Sequence, residues 1–233
     1  MENAGLSAIT TDYLKRTIIE SGATLAGFGD VSAGLAPELR QLNNAISIAL
    51  RHFTTEIIKA PRVIAYSNQL EAVDNRLEGI QKAVVYILRS YGYKCLAIPP
   101  DTLKADRRFI SKLFPLFPHK TAATCSGLGW IGKNGLLINE QFGPRLSWAT
   151  VLTNAPLKLA KKPYTYSRCE NCNVCVKICP AGAVSDRLWI RGITEPGVDY
   201  DRCSEHLERN RKILGKAVCG LCIIVCPKGR DNC

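Results

Sequence analysis

Thiol chemistry crowds one end of this chain. Cys169, Cys172, Cys175 and Cys179 spell CxxCxxCxxxCP, a spacing at which a short stretch of backbone can offer its sulfurs to an iron–sulfur cubane, with Pro180 turning the chain away. A second run, Cys219, Cys222 and Cys226, again ends in CP, but Lys216 stands where its first cysteine belongs. The missing ligand must come from elsewhere. Cys203 is the unassigned cysteine nearby, across the helical-looking stretch SEHLERNRKILG. Eight thiolates in this pattern predict two [4Fe-4S] clusters and a protein that moves electrons.

In two-cluster modules the fourth cysteine of each run ligates the other cluster. That crossing gives Cys169, Cys172, Cys175 and Cys226 to cluster one, and Cys179, Cys203, Cys219 and Cys222 to cluster two. Structural zinc sites also use CxxC pairs, yet four closely spaced cysteines ending in CP favour iron. Apolar residues interleave the second run, Cys219-Gly-Leu-Cys222-Ile-Ile-Val-Cys226, as a dry shell around a cluster requires. Cys95, Cys125 and Cys233 remain, and packing or incidental thiols are the simpler reading for them.

A chain of 233 residues, 46% of them hydrophobic, can fill one substantial core and a small appended module but not three domains. No stretch approaches the roughly 20 apolar residues of a spanning helix. The N-terminus MENAGLSAITTDYLKR lacks a signal-peptide layout, so a cytoplasmic protein with no membrane partner is expected. The formal charge of +11 treats every cysteine as neutral, whereas a cluster with four thiolates carries about −2. The surplus that remains suits an anionic partner such as tRNA, a phosphorylated cofactor or an acidic redox protein, or simply a cationic solvated surface.

Around these ligands the elements alternate irregularly. Thr10–Ser21 reads as a helix with Leu14, Ile18 and Ile19 inside and Gly22 as its stop, followed by strand-like ATLAGFG and NAISIAL. Leu70, Val73, Leu77, Ile80, Val84, Ile87 and Tyr91 mark one face of a long helix. Cys95–Ile98 reads as a strand and Arg108–Phe114 as a short helix; LLIN and RLSWATVLT are strands after the glycine-dense turn GLGWIGKNG. A mixed α/β domain of the α+β class over residues 1–156, then a cluster domain over 157–233, accounts for this order. The Pro- and Lys-rich stretch 154–166 forms the junction.

GLGWIGKNGLLIN, the following FGP and LT, the CxxCxxCxxxCP run and the broken second run with its remote Cys203 together resemble the epoxyqueuosine reductase family, relatives of the reductive dehalogenases. The likeness covers most of the chain from about Ala45 to Lys228. It implies a nitroreductase-like domain holding a cobalamin (corrinoid), followed by a bacterial-ferredoxin-like two-cluster domain that reduces the cobalt. It also implies an external low-potential electron donor such as a ferredoxin or flavodoxin, and a small-molecule or tRNA substrate. By the same similarity Gly127, Gly129, Trp130, Gly132, Lys133 and Asn134 would line or shape the cofactor pocket, the alternative being a tight turn with Trp130 in a core.

Two features depart from that family. Its members carry an Asp before the glycine turn as proton donor, where this chain has Leu113, Phe114, Pro115 and Leu116. His119 and Cys125 are the nearby groups able to supply a proton. Many members also extend past the last cluster cysteine into helical repeats that help hold tRNA, whereas this sequence ends at Cys233. A ferredoxin-type electron carrier without its own substrate, a flavin-dependent reductase and a tRNA-binding module therefore compete with the corrinoid reading.

Overall fold

Residues 9–52, 60–98 and 118–229 are described by a computed structural model. The expected helix Arg108–Phe114, residues Leu113–Leu116 and Cys233 lie outside them. Helix α1 spans Thr11–Glu20, and the side-chain oxygen of Thr10 caps it by accepting the Tyr13 N–H at 3.2 Å. Leu14 and Ile18 are buried, while Ile19, expected inside, is 41% exposed because it falls one position past the apolar stripe. Gly22 at φ 96° turns the chain into β1, Leu25–Asp30.

Strand β1 pairs antiparallel with β2, Asn44–Arg51, from Leu25 opposite Ala49 to Asp30 opposite Asn44. Residues Asn44–Leu50 of β2 are all buried, so NAISIAL lacks the alternation of a half-solvated strand. Strand β3, Cys95–Ile98, pairs antiparallel with β6, Leu146–Thr153, and the sheet order is β1-β2-β6-β3. Helix α3, His119–Cys125, lies against β1, where the Cβ of any other residue at Gly29 would meet the Cys125 backbone at 2.6 Å. Val31, Leu39, Ala45, Ile98, Ala122 and Leu152 form the core of this layer.

Helix α2 runs over Ala60–Ser90, about ten residues earlier than its periodicity alone indicates. Its buried stripe is Asp74, Leu77, Ile80, Gln81, Val84 and Leu88. Leu88 takes the place expected for Ile87, and a polar residue sits mid-stripe. Gln81 Nε2 donates to the carbonyls of Ile98 at 2.7 Å and Thr150 at 2.6 Å, which face each other across β3 and β6. Replacing Gln81 by Leu strands two buried acceptors, and about 2 kcal/mol of stability should go with them. An unchanged denaturant midpoint in Gln81→Leu would contradict this role.

By its contacts the chain forms two compact units. The first comprises the described residues of Met1–Leu50, Asp74–Gly127 and Trp148–Pro163; the second those of Arg51–Val73, Leu128–Ser147 and Tyr164–Cys233. The segment Leu128–Ser147, which contains all of the glycine turn but Gly127, belongs to the same unit as the cysteine-rich end. Among the described residues the second unit holds the start of α2, a small antiparallel pair, β4 (Trp130–Ile131) with β5 (Leu137–Ile138), and the helices α4 (Val174–Ile178), α5 (Tyr200–Leu214) and α6 (Leu221–Ile224). Trp130, Ile131, Ile138 and Trp189 form its core, with Cys169 and Cys226 packed on it. No described helix is long and apolar enough to cross a membrane.

Candidate metal centre

Each cysteine run wraps a short helix, and the two helices, α4 and α6, pack together. The first run opens with a turn closed by the Cys172 N–H on the Cys169 carbonyl at 2.9 Å. Cys175 then lies on α4 and Cys179 just past it, where the Cys179 thiol accepts the Ala183 N–H at 3.3 Å. In the second run Gly220, at φ 76°, bends the chain between Cys219 and α6, which carries Cys222, and Cys226 follows before Pro227. Cys203 sits in the first turn of α5, a helix started by the Asp199 carboxylate accepting the Arg202 N–H at 3.0 Å and stopped by Gly215 in the left-handed region. The helix seen in SEHLERNRKILG therefore begins earlier, and its cap is what fixes Cys203.

None of the ten described cysteines forms a disulfide. As thiols, their mutual influence sorts them. Burial pushes the Cys175 thiol up to about 11, with Cys169, Cys226 and Cys172 adding repulsion. Cys226 is raised by burial and by Cys169 and Cys172, against the Lys228 N–H and the Arg145 charge, which lower it. Cys203 is raised by burial, then by Cys179 and Cys219. Burial pushes Cys222 up to about 12, helped by Cys219, Cys175, Cys203 and Cys179. Cys222 is thus the thiol that feels a member of the first set, Cys175, as well as its own neighbours.

These thiols hold their protons in the folded chain beyond the ordinary value of 9.0. Above pH 9 the unfolded chain ionises first, so the metal-free fold should lose stability as pH climbs from 9 toward 12. Metal loading, which needs thiolates, should release protons. Melting temperatures of the metal-free protein that rise between pH 8 and 10 would refute this.

A cavity of about 300 Å³ opens among Cys169, Cys172 and Cys226, with Trp130, Ile138, Arg168 and Lys228 in its lining. The buried indole N–H of Trp130 has no acceptor among the described residues. A cubane suits this donor set, since its sulfides would accept that N–H and its irons would take the thiolates. Among the described residues no three Cys, His, Asp or Glu groups converge tightly enough for one metal ion. Four thiols around a cubane each bind a separate iron, whereas four around zinc share one metal.

The residues of the glycine turn have other engagements. A Cβ at Gly129 would collide with the Ile138 carbonyl, one at Gly132 would meet Asn134 Oδ1 and Ile138 Cγ1 at 2.8 Å, and one at Gly127 would meet the Lys162 carbonyl at 3.1 Å. Close approach of chain to chain explains these glycines without a ligand. Trp130 is fully buried beside Tyr164, ring centroids 5.6 Å apart. Lys133 Nζ donates to the Glu170 and Cys172 carbonyls, and Asn134 Nδ2 to the Cys222 carbonyl at 3.3 Å. For a corrinoid, then, the six offer backbone and packing rather than polar side chains. His119 is buried in the first unit with Nδ1 2.9 Å from Thr150 Oγ1, and Cys125 packs at the edge of that unit's core. Cys95 is half-buried in β3, its thiol 3.8 Å from the Val85 carbonyl.

Residues 168–230 match the family model of the 4Fe-4S dicluster domain. An epoxyqueuosine reductase from Listeria monocytogenes is 30% identical over 202 residues, 76% of this chain and 50% of that one. The chain resembles the epoxyqueuosine reductases. It is an iron–sulfur redox protein related to them, and it spans half the length of that Listeria relative. The fold agrees. The structure of epoxyqueuosine reductase from Streptococcus thermophilus superposes with a TM-score of 0.60 at 17% identity, over 94% of this chain and 65% of that one. A reductive dehalogenase described by its B12-dependent dehalogenation superposes at 0.70 and 17% identity, over 98% of this chain and 33% of that one. The fold is accordingly a mixed α/β domain of the kind these reductases share, joined to a ferredoxin-like module for two [4Fe-4S] clusters.

Proposed function

We propose that the protein passes single electrons through two [4Fe-4S] clusters from an external low-potential donor, such as a ferredoxin or flavodoxin, to a corrinoid at which an organic substrate is reduced. Cluster one takes Cys169, Cys172, Cys175 and Cys226; cluster two takes Cys179, Cys203, Cys219 and Cys222. The observation that carries the reading is that eight half-buried cysteines gather on the packed helices α4 and α6, on their flanking loops and on α5, with the Cys222 thiol raised by Cys175 of the first set as well as by Cys219, Cys203 and Cys179. The corrinoid rests on the likeness to epoxyqueuosine reductases and to a B12-dependent dehalogenase. When bound, it supplies a cobalt that accepts electrons singly and reacts with organic substrates. The chain's own part is to shield the first cluster from water, since Cys169 and Cys226 pack against Trp130, Ile138 and Trp189. Mixing the anaerobically reconstituted protein with cob(II)alamin should shift the cobalt absorption bands, with saturation near one per chain.

A second reading, an electron carrier without its own organic substrate, is favoured by the engagement of Lys133 and Asn134 with cluster loops. Unshifted cobalt bands together with clusters that reduce a partner protein would decide for it. A tRNA substrate belongs to the same proposal, because a neighbouring epoxyqueuosine reductase structure contains an epoxyqueuosine-modified tRNA stem loop. Epoxyqueuosine left unreduced in such a stem loop by the fully loaded protein would exclude it.

A further inference from the structure

Three side chains from the segment between Leu128 and Ser147 reach into the cluster loops, and they differ in charge. Lys133, 1% exposed, spends its three ammonium protons on the Glu170 carbonyl at 2.6 Å, the Cys172 carbonyl at 3.0 Å and Asn173 Oδ1 at 2.8 Å, and pairs with the Asp186 carboxylate. Glu170 is the one non-glycine residue at positive φ, 44°, among the described residues, a backbone cost offset where its carbonyl meets the ammonium. Arg145, 2% exposed, forks over the other arm of the same set: Nη1 to the Lys228 carbonyl at 2.7 Å, Nη2 to the Cys226 carbonyl at 3.0 Å and the Ile224 carbonyl at 3.2 Å. His52 next to it is held down to about 4 by burial and by Arg145 itself, so it stays neutral. The third side chain, Asn134, holds the Cys222 carbonyl of the other set and carries no charge.

We propose that Lys133 and Arg145 are positioning residues of cluster one, and that their buried charges hold its reduction potential above that of cluster two. The inference rests on the ligand pairing given under Proposed function. Reduction adds one negative charge to a cluster, and a cation shielded from water stabilises that charge far more than a solvated one. Asp186, its side chain 63% exposed and solvated on its outer face, offsets only part of the Lys133 charge, and Arg145 adds a second buried charge. On the side of Cys203 and Cys219, Arg202 is exposed and paired with Asp199, and Lys216 is exposed and paired with Glu71. Electrons entering the pair therefore come to rest on cluster one.

The test is an anaerobic redox titration of the full chain followed by electron paramagnetic resonance, for the wild type, Lys133→Gln and Arg145→Gln, with Cys203→Ala identifying the signal of cluster one. At a fixed potential each charge-removing variant should lower the reduced-to-oxidised ratio of cluster one about tenfold, which for a one-electron couple is about 59 mV. Cluster two should keep its midpoint. Equal shifts in both clusters, a shift in cluster two alone, or no shift with full iron content overturns the proposal. Should Lys133→Gln lose iron, Lys133→Arg is read instead: retained iron with an unmoved midpoint supports the role of the charge, and loss of both clusters counts against it. Failure of the pairing shows separately, as loss of both clusters or of neither in Cys203→Ala. The charge asymmetry then stands or falls on whether the two variants move one and the same signal.

Discussion

Replacing Cys203 by alanine should halve the iron of the reconstituted protein, from about eight to about four atoms per chain, with sulfide falling in step. The reason is geometric. Cys203 stands in the first turn of a capped fifteen-residue helix, and its thiol is repelled by Cys179 and Cys219 but not by the Cys169 set. The Lys216 ammonium that occupies the sequence position of the missing ligand is paired with Glu71 at 3.0 Å and cannot substitute for a thiolate. Cluster one, with Cys169, Cys172, Cys175 and Cys226 intact, should survive with its own resonance signal. Iron analysis and low-temperature spectra of the anaerobic protein measure both. A variant that empties both sites, or keeps eight irons, would dismiss the crossed pairing.

Gly129→Ala should be as damaging without touching a single ligand. A methyl group there lands on the Ile138 carbonyl, with the carbonyl carbon at 2.9 Å, inside the β4–β5 pair that sets Trp130 opposite Ile138. Backbone cannot yield as a flexible side chain does, so the pair must open, at about 3 kcal/mol. Lys133 and Asn134 follow within five residues, and the loops they hold around Cys172 and Cys222 should loosen with them. Both lower thermal stability and faster loss of cluster absorbance in air are expected. Gly182→Ala is the control: its φ of 58° costs about 1 kcal/mol, but nothing lies within 4 Å of the added carbon. If Gly129→Ala melts with the wild type and bleaches no faster, the glycine turn serves something other than the clusters.

The candidate ligands stand out in the sequence because the spacing of a cysteine run is local. Three sulfurs of a cubane commonly come from one short run, so Cys169 to Cys179 declare themselves by spacing, and Cys203 follows as the remaining nearby donor. The elements of the sheet were readable for a similar reason, since β1, β2, β3 and β6 lie where the apolar runs are. The engagement of Gln81, Lys133 and Arg145 was not. Each is an ordinary polar letter in a helix, a turn and a loop, and only the tertiary fold brings main-chain carbonyls 17 to 83 positions away to its donors. A signal did exist: a lysine and an asparagine packed between glycines in GKNG, beside tryptophan, imply polar groups carried into a dry place. A single sequence cannot say which carbonyls wait there.

By itself, then, the sequence determined the metal chemistry, the cluster count and the kinds of element, because these depend on residue type and short spacing. The tertiary structure alone decided that the glycine turn from Leu128 onward belongs to the cysteine-rich unit and that two buried cations hold the main-chain carbonyls of Cys172 and Cys226. Burial and long-range hydrogen bonding are properties of the assembled chain. Their energies depend on how much water is excluded from a group, and no local run of residues carries that information.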